Sequence, residues 1–365
     1  MSLNAFVRIF AIFIILPLVN SCQKKQEEVS TLEKISMSKA EDLPDSFFSD
    51  TTLIPLEFCE KCIIGSVSKI QFFNSQFIVS DKSISKAIFI FNEKGKFMFK
   101  IGESGEGPGK YVLPFDFSII PNKNIVCVLD NFQSKLMYFD LRNGQFLNEE
   151  PIDFKAKSIH FIKDDLFAVH MDGNFFEKEK DHHGVIFSIN DGEKTKFVYD
   201  FSKTDQMVTA GDFYNSSEGV LFSKSMNDTI YAVSQDGFIP KYFIDFGKKA
   251  ISNDIKSKVG LEMFEMMRSQ MPHYHNGNFI ENSKLLFFIS WDEGELENSV
   301  VYNKNQRKTF LSPNDKVLFK RPFYINEDFL FSYLTNEDFK AYDLEMNFGI
   351  SENPVIVKQS FRKHF

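Results

Sequence analysis

Apolar and polar residues alternate along most of the chain in short runs that end at Gly, Asn or Asp. This pattern predicts β-strands joined by tight turns. Two stretches, 80–97 and 129–146, align well: in each, a strand ends at Asp, a loop and an apolar strand follow, and the chain turns back at Gly95 or Gly144. A turn that needs positive φ explains these glycines, because residues with a Cβ rarely adopt it.

Weaker copies of this unit predict where the remaining sheets lie. They turn near residues 190–192, 235–237, 302–304 and 342–343, and most recur about every 45 to 50 residues. A period of that length is typical of propeller blades. The sequence therefore predicts an all-β fold, a six-bladed β-propeller over residues 51–365, with blades near 66–102, 112–150, 155–201, 212–247, 275–311 and 317–360.

One predicted strand, Thr52–Leu56, precedes the first blade and has no partner within it. An unpaired edge strand promotes aggregation, so we expect it to pair with C-terminal strands such as Val355–Val357 and close the ring.

The interval between blades 4 and 5 is longer than the others and predicts one helical insertion at about residues 250–271. Ser252 and Asn253 offer caps, and Pro272 ends the pattern. The apolar residues at helical spacing are Ile255, Val259, Met263, Phe264, Met267 and Met271. They indicate either a helix packed on the flank of the propeller or a methionine-rich partner surface.

The N-terminus resembles a lipoprotein signal. Arg8 precedes an apolar run, Ile9–Val19, and the small residue Ser21 stands before Cys22. The run is shorter than the roughly 20 residues of a spanning helix. We predict a signal peptide over 1–21 and lipidation of Cys22 in a bacterial outer membrane lipoprotein, on its periplasmic or cell-surface side. The alternative is an ordinary secretory signal with an incidental cysteine.

Residues 22–50 are polar and charged, which predicts a flexible tether from Cys22. Its start, Gln23–Glu28, is similar to the charged signals that send some lipoproteins of Bacteroides-type bacteria to the cell surface. An ordinary solvated linker is the alternative interpretation.

Composition restricts the partners. The chain has 42 Lys and Arg residues against 50 Asp and Glu residues, a net charge of −8, and nucleic acid is therefore a poor partner. The expected partners are the membrane, through the lipid anchor, and an unidentified glycan, peptide or envelope protein. No cofactor is predicted.

The segment Lys96–Gly102, followed by Gly105–Tyr111, resembles the "GkFl-kiG-xxGxGPgEy" pattern of the NHL-like six-bladed β-propeller lipoproteins of Bacteroides-type bacteria. The resemblance implies a propeller and an envelope location, and it transfers no site residue. The glycines do not form a phosphate loop, because Ser104 and Tyr111 occupy positions where that motif needs Gly and Ser or Thr. They predict a tight crossing between two blades.

The cysteines give one candidate bond. Cys59 and Cys62 are spaced as a redox pair, half of a metal site or a small disulfide loop, and an oxidising envelope favours the disulfide. Cys127 lies in an apolar strand and is predicted to be inert packing.

We expect a ligand at the face that carries the crossings between blades and the loops joining the second and third strands of each blade. The candidate residues there are Asp81, Asp130, His182, His183, His273, His275, Trp291 and Glu293. His273 and His275 alternate along an extended segment and could bind a metal with Glu293, but two histidines are insufficient, so no metal site is predicted. Trp291 either stacks on a ligand or packs between blades.

Two classes of function remain. The first is a binding or protein-interaction module on the envelope. The second is a glycan- or lactone-directed hydrolase or lyase that uses acidic residues at the mouth of the channel. The first is favoured, because no catalytic residues are predicted and the acidic residues are scattered along the sequence.

Overall fold

The computed structural model describes residues 32–171, 184–188, 194–197, 211–216, 219–224, 227–258, 260–275, 277–292, 296–313, 320–341 and 352–362. The predictions for Cys22, His182, His183, Val259 and Glu293 fall outside these ranges.

The first described residues form three strands. They are β1 (Glu33–Ser36), β2 (Glu41–Asp42) and β3 (Phe48–Pro55), with a 3₁₀ turn at Met37–Lys39 after β1. Ile35 is fully buried in an apolar cluster. The prediction of a flexible tether over 22–50 is therefore wrong from residue 33 onward, because two short strands pair with other parts of the chain despite their polar sequence.

Three antiparallel sheets follow, each with four strands in sequence order. The first contains β4 (Lys69–Phe73), β5 (Gln76–Asp81), β6 (Ala87–Asn92) and β7 (Phe97–Ile101). A short parallel pair, β8 (Glu103–Ser104) and β9 (Lys110–Tyr111), leads to the second. The second contains β10 (Asp116–Ile120), β11 (Ile125–Asp130), β12 (Lys135–Asp140) and β13 (Phe146–Pro151), with a 3₁₀ turn at Pro121–Lys123. The third contains β14 (Ala156–Lys163), β15 (Leu166–Met171), β16 (Gly184–Ser188) and β17 (Lys194–Phe197).

An eleven-stranded sheet comes next, and it has two halves. The first half contains β18 (Gly211–Ser216), β19 (Gly219–Lys224), β20 (Thr229–Ser234) and β21 (Gly237–Asp245). A 3₁₀ turn at Gly247–Lys249 and two helices, α1 (Asn253–Lys256) and α2 (Gly260–Gln270), precede the second half. This half contains β22 (Tyr274–His275), β23 (Ile280–Glu281), β24 (Leu285–Asp292), β25 (Leu296–Asn303) and β26 (Lys308–Pro313).

The last sheet joins the two ends of the described chain. It contains β27 (Tyr324–Ile325), β28 (Phe329–Leu334) and β29 (Val355–Phe361), and α3 (Asn336–Ala341) follows β28. Strand β3 is its fourth strand, with Ile356 opposite Ile54 and Val357 opposite Leu53. The pairing expected between the early strand and the C-terminal strands is present in the structure.

The remaining N-terminal strands extend the outer edges of the large sheet. Strand β1 pairs in parallel with β21, and β2 pairs in parallel with β26. Since a free edge offers unpaired N–H and C=O groups, these short strands cover two edges that would otherwise be exposed.

The core lies between neighbouring sheets. Inner strands such as β6 and β12 are runs of buried residues, and successive side chains point to opposite faces, so both faces of these sheets are covered. Ile78 of the first sheet shares a cluster with Val126 of the second, and Phe77 of the first sheet shares another with Phe331 of the last. The mostly β fold is thus propeller-like: successive sheets pack side by side, and the last packs on the first.

Candidate functional site

Asp81, predicted on the ligand face, is buried in the protein. Its side chain is 0% exposed, and its carboxylate accepts hydrogen bonds from five backbone N–H groups. Two belong to Gly65 and Ser66 on the segment that enters the sheet, and the others to the loop after β5. Burial alone would raise the pKa of Asp81, but these hydrogen bonds lower it.

Asp130 has the equivalent position in the second sheet. Its carboxylate accepts hydrogen bonds from the backbone N–H groups of Val112, Phe132 and Gln133, at 2.7 to 3.2 Å. Both aspartates therefore tie the loop between the second and third strands to the preceding crossing. Their lone pairs are used inside the protein, which leaves them poor ligands for anything else.

His275 is also used internally. It is 0% exposed, its Nε2 lies 2.5 Å from the carbonyl oxygen of Asn227, and its Nδ1 accepts a hydrogen bond from the N–H of Gly277. Burial lowers the pKa of His275 to about 4, so the ring is neutral. The Nδ1 of His273 instead lies 2.5 Å from Oδ1 of Asp292.

No cluster of three or more metal-ligating side chains occurs within the described ranges.

Trp291 is half-buried and stacks on Tyr274 of the neighbouring strand, with ring centroids 6.4 Å apart and planes 6° apart. Because Tyr274 and Trp291 are opposite each other on paired strands of one sheet, this contact lies within a sheet and not between two blades. Cys59 and Cys62 form a disulfide with a Cα–Cα distance of 5.1 Å, and Cys127 is a buried free cysteine.

A concave site lies where the first strands of the sheets approach one another. Two cavities of about 340 and 410 Å³ adjoin there. Volumes of this size are typical of small-molecule sites. Both cavities are lined by Ser68, Lys69, Asp212, Tyr214 and Asn278.

Three charged groups from three different sheets meet at this site. The Nζ of Lys69 lies 2.8 Å from Oδ1 of Asp116 and 3.0 Å from the carbonyl oxygen of Phe117. The second carboxylate oxygen of Asp116 accepts a hydrogen bond from the N–H of Ile159 at 2.8 Å. Asp116 is thus engaged on both oxygens, by an ammonium group and by a backbone donor.

The charges change one another's proton affinity. Burial lowers the pKa of Lys69, but Asp116 and Asp212 raise it more, so the amine remains charged. Burial and the neighbouring charge of Asp116 raise the pKa of Asp212, although Lys69 opposes this shift. The site therefore contains one ion pair and one carboxyl group that holds its proton more tightly than usual.

None of these three residues was among those predicted on the ligand face. Each lies at or near the start of the first strand of its sheet, directly after a crossing. The signal available in the sequence was a charged residue beside an apolar residue at the same place in several repeats. Examples are Phe115-Asp116-Phe117 and Gly211-Asp212-Phe213. It indicates side chains that face the axis of a ring of sheets.

Fold and site together define a propeller-like β protein with a polar axial cavity. A model described as "Domain of unknown function (DUF4934)" matches residues 27–359, and the chain belongs to this family.

Solved structures support the fold. The chain is similar to a protein of Bacteroides fragilis described as exported, with a TM-score of 0.75, 18% identity, and coverage of 91% of this chain and 100% of that one. It is also similar to a member of the DUF4221 family from Bacteroides vulgatus, with a TM-score of 0.53, 14% identity, and coverage of 86% and 97%. At these identities the likeness shows the fold alone.

One curated relative matches locally. Peptidyl-glycine alpha-amidating monooxygenase of Mus musculus is 27% identical over 122 residues, or 32% of this chain, and the match spans 12% of that protein's length. Across the described ranges, no helix is both long and apolar enough to cross a membrane.

Proposed function

We propose that this chain is a six-bladed β-propeller, exported and anchored to the outer membrane through Cys22, whose axial cavity binds a small polar ligand. The NHL-like resemblance, the apolar run before Cys22 and the exported Bacteroides fragilis neighbour support the envelope location. A peptide or an envelope protein is the other class of ligand that an interaction module of this kind would take.

The count of six blades depends on dividing the eleven-stranded sheet in two. Its halves are joined between β18 and β23 by a single residue pair, Ser216 with Glu281. Leu221 of one half also packs against Phe288 of the other in a cluster like those between separate sheets. In this count α1 and α2 are the helical insertion between blades 4 and 5.

The observation that carries the binding function is the convergence of Lys69, Asp116 and Asp212 on a cavity of ligand size. Buried charges are costly unless they are paired, and a structural role alone would be served by apolar side chains. Asp116 is engaged by protein donors on both oxygens, so it fixes the position of Lys69. The third N–H of Lys69 and the carboxyl group of Asp212 line the cavity and are available to orient a polar ligand.

A second candidate is the hydrolase or lyase of glycans or lactones, with Asp212 as proton donor. The raised pKa of Asp212 favours this role. A general base or nucleophile is also needed, and both oxygens of Asp116 already accept protein hydrogen bonds. Binding therefore ranks above catalysis.

Ligand binding can be tested on the full chain carrying Cys22→Ser, which cannot be acylated. We expect members of a panel of sugars, sugar acids and short peptides to raise its Tm in scanning fluorimetry. Ser68 is exposed and lines both cavities, so Ser68→Trp should fill them and abolish the shift. Ser83→Trp, at an exposed loop position outside the cavities, is the matched control.

A ligand shift that survives Ser68→Trp would place binding elsewhere and contradict the proposal. The same panel, assayed for product formation, separates the two candidates. Turnover that is lost in Asp212→Asn would favour the enzyme.

A further inference from the structure

We infer that the ligand of the axial cavity is a small, hydroxyl-rich organic anion whose carboxylate lies among Lys69, Lys82 and Lys157. The inference rests on the proposed binding function and names the chemistry of its ligand.

The lining of the larger cavity contains more positive than negative charge. It includes the three lysines, Asp116 and Asp212. Asp116 neutralises Lys69 at 2.8 Å, whereas no carboxylate of the described residues lies within 4 Å of the ammonium groups of Lys82 and Lys157. The excess remains when Asp212 is counted as a full negative charge, because three ammonium groups then line the cavity with two carboxylates.

This positive excess contrasts with the charge of the molecule as a whole, which is −8. The general field of the protein repels anions, so a local group of amines inside a cavity selects them against that background. Lys82 is also held in place, since its Nζ lies 4.8 Å from the centre of the Phe115 ring on the cavity wall.

The uncharged lining points to hydroxyl groups on the ligand. Gln71, Asn215 and Asn278 contribute side-chain amides to the smaller, adjoining cavity. Gln71 is 6% exposed, and its Oε1 has no hydrogen-bond partner among the described residues. A buried acceptor without a partner is costly, and a ligand hydroxyl would satisfy it. The rings of Phe115 and Tyr214 supply apolar faces for the C–H side of such a ligand.

The test measures binding of D-glucuronate, D-galacturonate, D-glucose and D-galactose to the full Cys22→Ser chain by calorimetry. We expect the acids to bind roughly tenfold or more tightly than the neutral sugars, because charge-assisted hydrogen bonds are the stronger kind. Lys82→Gln and Lys157→Gln should each weaken the acids by roughly threefold to tenfold and leave the neutral sugars unchanged. Lys94→Gln, an exposed turn position outside both cavities, is the charge-matched control.

Three outcomes would overturn the inference: equal affinity for acids and neutral sugars, acid binding that is insensitive to both lysine variants, or no uronate binding up to millimolar concentration. If a neutral ligand binds and Ser68→Trp abolishes that binding, the proposed function stands and only the inference of an anionic ligand is rejected. The Tm of each lysine variant, without ligand, shows whether its fold is retained.

Discussion

The carboxylates of Asp81 and Asp130 accept hydrogen bonds from backbone N–H groups that have no carbonyl partner in their turns. Where a loop leaves its sheet and meets an incoming crossing, several N–H groups point into the protein without a strand to pair with. A carboxylate has about four lone-pair positions and can serve several donors at once. The repeated Asp at the end of the second strand is therefore a structural requirement of the loop.

We expect Asp81→Ala to lower the free energy of unfolding by about 3 kcal/mol, because it leaves buried N–H groups without an acceptor. Urea unfolding at pH 7 measures this. Glu93→Ala, at an exposed turn, should change stability by less than about 0.5 kcal/mol.

The contribution of the Asp81 carboxylate to stability has a defined pH dependence. The folded-state pKa of Asp81 lies below its unfolded value, so its contribution is fully present above about pH 4 and is lost as the pH falls through the folded pKa. The stability difference between the native chain and Asp81→Asn should shrink on acidification. A difference that stays constant down to pH 2 would contradict this account.

At this scale the sequence located residues better than it assigned their roles. The spacing placed Asp81 and Asp130 beside the crossings, where the structure has them, but it could not show that backbone donors saturate them. Lys69, Asp116 and Asp212 were missed because they come together only when three sheets are arranged around one axis.

At the scale of elements, the alternation of apolar and polar residues predicted the strands, and the glycines predicted the turns between them. Gly95 and Gly144 have φ values of 77° and 74°, as the predicted turns require. The structure adds a second reason for glycine at these turns. A Cβ on Gly95 would lie 2.2 Å from the carbonyl oxygen of Pro55, and one on Gly144 would lie 2.6 Å from that of Lys100, so each turn packs against the outer strand of the preceding sheet.

The two short strands at the outer edges were not predictable in the same way. Residues 33–42 carry several charges, and their pattern is that of a linker. They become strands because β21 and β26 offer unpaired edges, which is a property of the assembled fold rather than of the local sequence.

Closure by β3 gives a prediction at this scale. Deletion of residues 48–55 removes one of the two strands that pair with β29 and exposes side chains that it covers, such as Ile356. We expect the Tm to fall by roughly 5 °C or more, measured by circular dichroism. Deletion of residues 23–30 is the control of equal length and should leave Tm unchanged; equal effects of the two deletions would show that β3 does not close the fold.

At the scale of the whole molecule, the proposed attachment to the membrane depends on one thiol. If Cys22 carries the acyl chains, Cys22→Ser should move the protein from the membrane pellet to the soluble fraction of the envelope while its Tm stays the same. Cell fractionation with metabolic labelling by a fatty acid checks both points. Pelleting and labelling that persist in Cys22→Ser would reject this anchor, and Cys127→Ser is the control substitution of a buried cysteine.

If the chain is exported as proposed, the sharing of one sheet by β3 and β29 also constrains the order of events during its secretion. Strand β3 is among the first parts of the folded domain to pass the export channel, and β29 is the last. Until β29 emerges, β3 and β28 must persist without the strand that pairs with each of them. On that route we expect the chain to be most exposed to proteases and to aggregation immediately before β29 emerges, and a holding chaperone would contribute most in that interval.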